Sequence, residues 1–243
     1  MKHIEELRVK IFADGAEKKG MLDMYQMPYI KGFTTNPTLM HKAGLSDFEP
    51  FARDILKIIK DLPICFEVIS DDFEEMKKQA LYIASWGENV YVKIPVTNTL
   101  GIPSYDLIAE LAQARVKVNV TAIMAMEQVE EVSKSLQNHT NSIVSIFAGR
   151  IADTGRDPVP FITKALEIIS PYPKQELLWA SPRELLNIYQ ADEIGCHIIT
   201  VTNDILKKLN CIGKDLFDYS LETVKMFRND ALAAGLELNI PEQ

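Results

Sequence analysis

The sequence predicts an α/β fold in which one domain, residues 1–243, closes as a (β/α)8 TIM barrel with an extra C-terminal helix at about 220–235. Three observations carry that expectation. Eight short β-branched or aromatic runs recur along the chain, helical patterns lie between most of them, and no long linker or low-complexity segment interrupts the series. Strands alternating with helices at roughly 20–30-residue spacing form βαβ units around a parallel sheet. Eight such units close into a barrel more readily than they fill an open sheet, and 243 residues suit one undivided barrel.

In chain order, VKIFA (9–13) is the first strand and KGFTT (31–35) the second. Pro37 holds Asn36 extended, and Thr38 follows at a helix start. After Ser46-Asp47, whose side chains suit a helix cap, Phe51, Ile55, Ile58 and Ile59 recur at helical spacing. ICFEVI (64–69) is the third strand; the helix after Ser70 carries Phe73, Met76, Ala80 and Ile83. VYVKIP (90–95), KVNVT (117–121), IVSIF (143–147), LLWAS (177–181) and HIITVT (197–202) complete the set. SLETVKMFRNDALAAG (220–235) is a last amphipathic helix ending at Gly235, expected to pack on the barrel or on a neighbouring subunit.

Composition narrows the function. With 47% hydrophobic and 25% charged residues the chain is an ordinary soluble one with material for a sizeable core. A net charge of −8 argues against nucleic acid, although a local arginine pair still suits a small phosphate. Cys65, Cys196 and Cys211 show no CxxC spacing and read as reduced thiols. MKHIEELRVKIF lacks the apolar run of a signal peptide, and no stretch approaches a membrane span, so a cytoplasmic setting is expected. His3, His41, His139 and His197 are scattered, which leaves no metal motif, and neither GxGxxG nor GxxxxGK[ST] occurs.

In barrels of this class chemistry sits at the carboxyl ends of the strands. The polar residues there are Asp14, Asn36, Glu67, Lys93, Asn119 with Thr121, Ser145 and Ser181, from seven of the eight strands. Lys93 lies too deep in VYVKIP to reach solvent, and an unpaired buried ammonium is costly. Two readings stand: an ion pair with Glu67 on the adjacent strand, or an amine whose apolar surround favours attack on a carbonyl. Asp14 and Glu67 either neutralise the lysine or serve as a base and a water-handling group. Asn36 is either a site residue or turn chemistry alone. Arg150 and Arg183 are either surface arginines or phosphate ligands, the latter favoured by Ser181-Pro182-Arg183 at a helix start. Arg156 reads as the loop ion-pair partner of Asp153.

KGFTTNPTLM, VYVKIPVTNTLG, NVTAIM, SIFAGRIADTGRDP and WASPREL, in this order, resemble segments of the transaldolases, over about residues 9–210. The resemblance implies a class I aldolase-type barrel with neither metal nor cofactor. It implies Lys93 as Schiff-base nucleophile, Asp14 as acid–base group, and Glu67 with Thr121 positioning water. Asn36, Asn119 and Ser145 would hold the hydroxyls of a dihydroxyacetone unit, with Thr34 and Phe147 beside it, and Arg150, Ser181 and Arg183 would bind phosphate. The implied partners are sugar phosphates: fructose 6-phosphate or sedoheptulose 7-phosphate as donor, an aldose phosphate as acceptor, in pentose phosphate metabolism or a dedicated sugar pathway. Chain length is similar to that of the compact subfamily, which implies a homo-oligomer, pentameric or decameric. Phe147 and Glu67 follow the transaldolase pattern, whereas fructose 6-phosphate aldolases tend to carry tyrosine and glutamine there. That aldolase, releasing free dihydroxyacetone, stays an alternative, as does a barrel serving only as a binding or assembly module. Phe33 and Gly15 depart from the usual family pattern and leave the substrate open.

Overall fold

The computed structural model describes residues 2–45 and 47–238. Its strands are β1 (Lys10–Asp14), β2 (Ile30–Thr34), β3 (Ile64–Glu67), β4 (Val90–Pro95), β5 (Val118–Ile123), β6 (Ser142–Ile146), β7 (Gln175–Trp179) and β8 (Ile198–Thr202). They form a closed barrel in sequence order, every neighbouring pair parallel. Each expected run holds a strand, its ends displaced by at most two residues. The helices are α1 (Lys18–Tyr25), α2 (Pro37–Lys42), α3 (Phe48–Ile58), α4 (Phe73–Ala84), α5 (Tyr105–Gln113) and α6 (Met126–Leu136). They continue as α7 (Ala148–Asp153), α8 (Pro158–Ile169), α9 (Leu186–Glu193), α10 (Asn203–Leu206) and α11 (Leu216–Ala233).

Strand alternation divides the apolar residues between two cores. Outward-facing residues such as Phe66, Val92, Val120, Ile146 and Trp179 are buried with the inner faces of the helices. Inward-facing Phe12, Cys65, Tyr91, Ile143, Leu178 and Ile198 fill the barrel itself. Gly32 makes that filling possible, since a Cβ there would lie 2.5 Å from the Phe12 ring. Burial pushes the Cys65 thiol up to about 11, and all three cysteines are unpaired.

Local sequence explains several helix starts. Asn36 Oδ1 accepts from Leu39 N (2.9 Å) and Asp72 Oδ1 from Glu75 N (3.0 Å), capping α2 and α4. Of the expected Ser46-Asp47 cap, Ser46 lies outside the described residues, and Asp47 holds the N-cap position without a side-chain bond. Phe51, Ile55 and Ile59 are buried as their spacing predicts, but Ile58 is 45% exposed, because it falls beyond the edge of the apolar face.

One long-range contact ties the chain's first residues to the barrel. Asp192, on α9, accepts from Arg8 N (2.6 Å), Val9 N (3.1 Å) and Lys2 Nζ (2.6 Å), just ahead of β1. Burial works against its charge, but these donors outweigh that cost and hold the carboxyl below its usual range. Beside this seam β1 pairs with β8, Lys10 opposite Ile198 through Asp14 opposite Thr202.

The last helix starts at Leu216, earlier than expected, because Asp215 caps it by accepting from Phe217 N (2.9 Å) and Asp218 N (3.1 Å). It does not bury a face on its own barrel. No residue of α11 is buried, and Phe217 and Phe227 are 89% and 63% exposed. Among the described residues no helix is long and apolar enough to cross a membrane.

Candidate active site

The carboxyl ends of the strands surround a cavity of about 690 Å³ whose wall includes Asp14, Thr34, Asn36, Glu67, Lys93 and Thr121. On its other side stand Ser145, Phe147, Arg150, Ser181 and Arg183. Of the residues singled out in the sequence, Asn119 alone is missing from this wall. It is fully buried, opposite Lys93 in the β4–β5 register, and so lies beneath the cavity floor.

Lys93 is buried, and the parallel register places Glu67 directly beside it on β3. Its ammonium donates to Glu67 Oε2 (2.9 Å) and to the Thr35 carbonyl (2.8 Å). The ion pair considered from the sequence is therefore formed. It answers how a strand interior tolerates this charge: one carboxylate and one carbonyl replace the lost water. Thr35 presents its carbonyl there because its amide continues the β2–β3 ladder, donating to Cys65 O (3.1 Å).

Asp14 ends β1 and receives a hydrogen bond from Thr34 Oγ1 (2.8 Å). Burial pushes its carboxyl above the usual range; Lys93 and the Thr34 hydroxyl oppose that rise, Glu67 adds to it, and the Asn36 amide opposes it further. Asn36 thus has two tasks, since its oxygen caps α2 while it also serves the Asp14 carboxyl. Thr121 Oγ1 and both side-chain polar atoms of Asn119 are buried without a protein partner. Of these two residues Thr121 lines the cavity, and Asn119 lies beneath it.

The cationic side of the cavity comes from α7 and from the loop after β7. Phe147 precedes α7, and the Arg150 guanidinium, one turn on, lies 5.9 Å from its ring centroid. Arg183 donates through Nε to Asp153 Oδ1 (2.9 Å), through Nη2 to Asp153 Oδ2, and through Nη1 to Ser181 Oγ (2.8 Å). The expected Arg156–Asp153 pair is thus not made; Arg156 Nη1 donates to Thr154 Oγ1 instead, and the wrap of the barrel brings Arg183 to Asp153. Nor does Ser181-Pro182-Arg183 begin a helix. α9 starts at Leu186, and the amides of Arg183 (2.8 Å) and Glu184 (3.1 Å) are held by Asn187 Oδ1. Ser181 adopts a left-handed φ of 61°, a conformation side chains disfavour, and so turns the chain sharply after β7. Gly149 lets this turn close over α7: a Cβ there would lie 1.6 Å from the Ser181 carbonyl oxygen.

Sequence reading overlooked Thr200, Thr202 and Asp204, which also line the cavity. The signal was present in HIITVT, where the two threonines stand two apart and share the inward face. The Thr35 carbonyl and the Asn187 clamp had no such signal, because backbone aim and loop closure depend on the folded chain. Among the described residues no cluster of His, Cys, Asp and Glu is arranged to hold a metal.

Comparison with known proteins agrees with this architecture. A 2,3-dimethylmalate lyase structure superposes with a TM-score of 0.57 at 11% identity, covering 97% of this chain and 87% of that one. A 3-keto-L-gulonate-6-phosphate decarboxylase from Vibrio cholerae gives 0.53 at 10% identity, covering 81% and 88%. Such low identities speak for the barrel alone. Two curated proteins carrying the name "Probable transaldolase" are nearer. That of Methanococcus maripaludis strain C7 is 33% identical over 202 residues, 83% of this chain and 89% of its own. That of Thermoanaerobacter sp. strain X514 is 32% identical over 231 residues, 95% of this chain and 100% of its own. The family model described as Transaldolase/Fructose-6-phosphate aldolase matches residues 11–239. With that match and these relatives, the chain belongs to the transaldolase/fructose-6-phosphate aldolase family and is an enzyme of it.

Proposed function

We propose that this enzyme transfers a dihydroxyacetone unit from fructose 6-phosphate or sedoheptulose 7-phosphate to an aldose phosphate, through a Schiff base on Lys93. The observation that carries this reading is the grouping of a buried lysine, its Glu67 partner and a raised Asp14 carboxyl around one cavity. Lys93 gives up a proton and its amine adds to the C2 ketone; loss of water from the carbinolamine leaves an iminium. Glu67, 2.9 Å from Nζ, is the nearest group to accept and return the protons of that exchange. Asp14 takes the C4 hydroxyl proton, the C3–C4 bond breaks, and its electrons pass to the iminium nitrogen as an enamine. The aldose departs, an acceptor aldose enters, and the steps reverse, Asp14 returning its proton to the new hydroxyl. A carboxyl raised by burial suits a group that must both take and give a proton. Thr121 assists Glu67 with water, Thr34, Asn36 and Ser145 hold the hydroxyls, and Asn119 supports Lys93 from beneath. Arg150, Ser181 and Arg183 bind the phosphate.

Borohydride added with fructose 6-phosphate is expected to fix a three-carbon adduct on Lys93, identified by peptide mass. Modification of another lysine, or full activity in Lys93→Ala, would refute the assignment. The same reading includes work in the cytoplasm, in pentose phosphate metabolism, and a homo-oligomer, since the apolar residues of α11 lack cover.

A further inference from the structure

We propose that Thr200, on β8, is a positioning residue that sets the direction of the hydrogen bond made to Asp14, and that it does so through Thr34. Thr34 and Thr200 flank β1 on its two sides, and their hydroxyl oxygens are in direct hydrogen-bond contact across it. Both residues are buried, 3% and 6% exposed. A threonine hydroxyl has one hydrogen, and an ionised carboxylate has none. Thr34 spends its hydrogen on Asp14 Oδ1 at 2.8 Å. While Asp14 is ionised, the Thr34–Thr200 contact can then be satisfied in one way only: Thr200 donates and Thr34 accepts. Thr200 therefore locks the Thr34 rotor toward Asp14, and a donor chain of two hydroxyls ends on the carboxyl. Chains of this kind polarise each link, so the terminal bond to the charged oxygen gains strength.

The charged and titratable groups around Asp14 are Lys93 on β4, Glu67 and Cys65 on β3, Glu17 at the start of α1, Lys42 on α2 and Asp204 on α10, with Arg150 and Arg183 across the cavity. None of these touches Thr200 in a bond, so removing its hydroxyl acts on Asp14 through Thr34. The inference rests on the acid–base role proposed for Asp14, and the experiment separates the two.

In Thr200→Val, which keeps the side chain's shape, kcat is expected to fall roughly tenfold, a fraction of what acid–base catalysis supplies. KM should stay nearly unchanged, and the acidic limb of the kcat–pH profile should move to higher pH. Thr200→Ser should restore both. A carbon-detected NMR titration of the Asp14 carboxyl, which needs no turnover, should show the same upward displacement in Thr200→Val and its reversal in Thr200→Ser. If the titration moves but the parent enzyme transfers nothing, the hydroxyl chain stands and the proposed reaction falls. A Thr200→Val enzyme whose Asp14 titration and pH profile match the parent overturns the inference, as does a Thr200→Ser that behaves like valine.

Discussion

Asp14 and Lys93 carry opposite costs of burial. Lys93 is compensated by Glu67 and the Thr35 carbonyl, whereas the donors around Asp14 do not fully offset its desolvation. The sign of the consequence follows from linkage. A carboxyl whose folded-state value lies above its unfolded value binds more protons when folded, so stability falls as pH rises through that interval. Asp14→Asn is therefore expected to melt higher than the parent at pH 7, with the gain shrinking toward pH 4, while activity is lost. Calorimetry at several pH values checks this; a substitution that destabilises equally at every pH would contradict it. Phe147 bears on the outcome of the reaction. A phenyl ring offers no hydroxyl to hold the water that would protonate the enamine and hydrolyse the imine. Transfer should greatly exceed release of free dihydroxyacetone, and Phe147→Tyr should raise release relative to transfer in a product assay with and without erythrose 4-phosphate. Rapid release by the parent without acceptor would favour the aldolase reading.

The loops after β6 and β7 show how neighbouring elements share one task. Arg183 is oriented by Asp153 at the end of α7, while its own loop is held by Asn187 from α9. Gly149 lets the two loops approach, so Gly149→Ala must push the Ser181–Arg183 turn outward. A displacement near 1 Å can cost about 100-fold in reaction efficiency. The loss should fall on kcat/KM for phosphorylated substrates and much less on unphosphorylated analogues; equal losses for both would mean the turn is not part of a phosphate site. The strands and most helices could be read from the sequence because period and β-branching act locally, as in VYVKIP. The pairing of Arg183 with Asp153, and the recess of Asn119 below the cavity, could not. Both depend on barrel geometry, which joins residues 30 apart in one case and selects between layers of one strand in the other.

For the molecule as a whole, α11 is the element the single chain leaves unexplained. Its periodicity was plain in the sequence, but an amphipathic stripe does not say what covers it. Phe217, Leu221, Val224 and Phe227 are all more than half exposed, an apolar stripe of the kind that marks an interaction surface. Sedimentation of the full chain is expected to give a mass several times 27.4 kDa. Phe217→Ser combined with Phe227→Ser should shift it toward the monomer. A monomeric parent would remove the proposed homo-oligomer.

The closure of the barrel also has a kinetic meaning. Successive strands meet after short excursions of chain, but β1 must find β8 across almost the entire sequence, Lys10 against Ile198. That encounter carries the largest loop-closure entropy in the fold, which favours its forming late. Asp192 gathers Lys2, Arg8 and Val9 at this seam and acts as its latch. Because Thr200 belongs to β8, a refolding chain with the β1–β8 seam still open would hold Lys93, Glu67 and the Asp14–Thr34 pair yet lack the Thr200 hydroxyl and the last wall of the cavity. Recovery of turnover should then report the seam's closing, lagging behind the return of secondary structure.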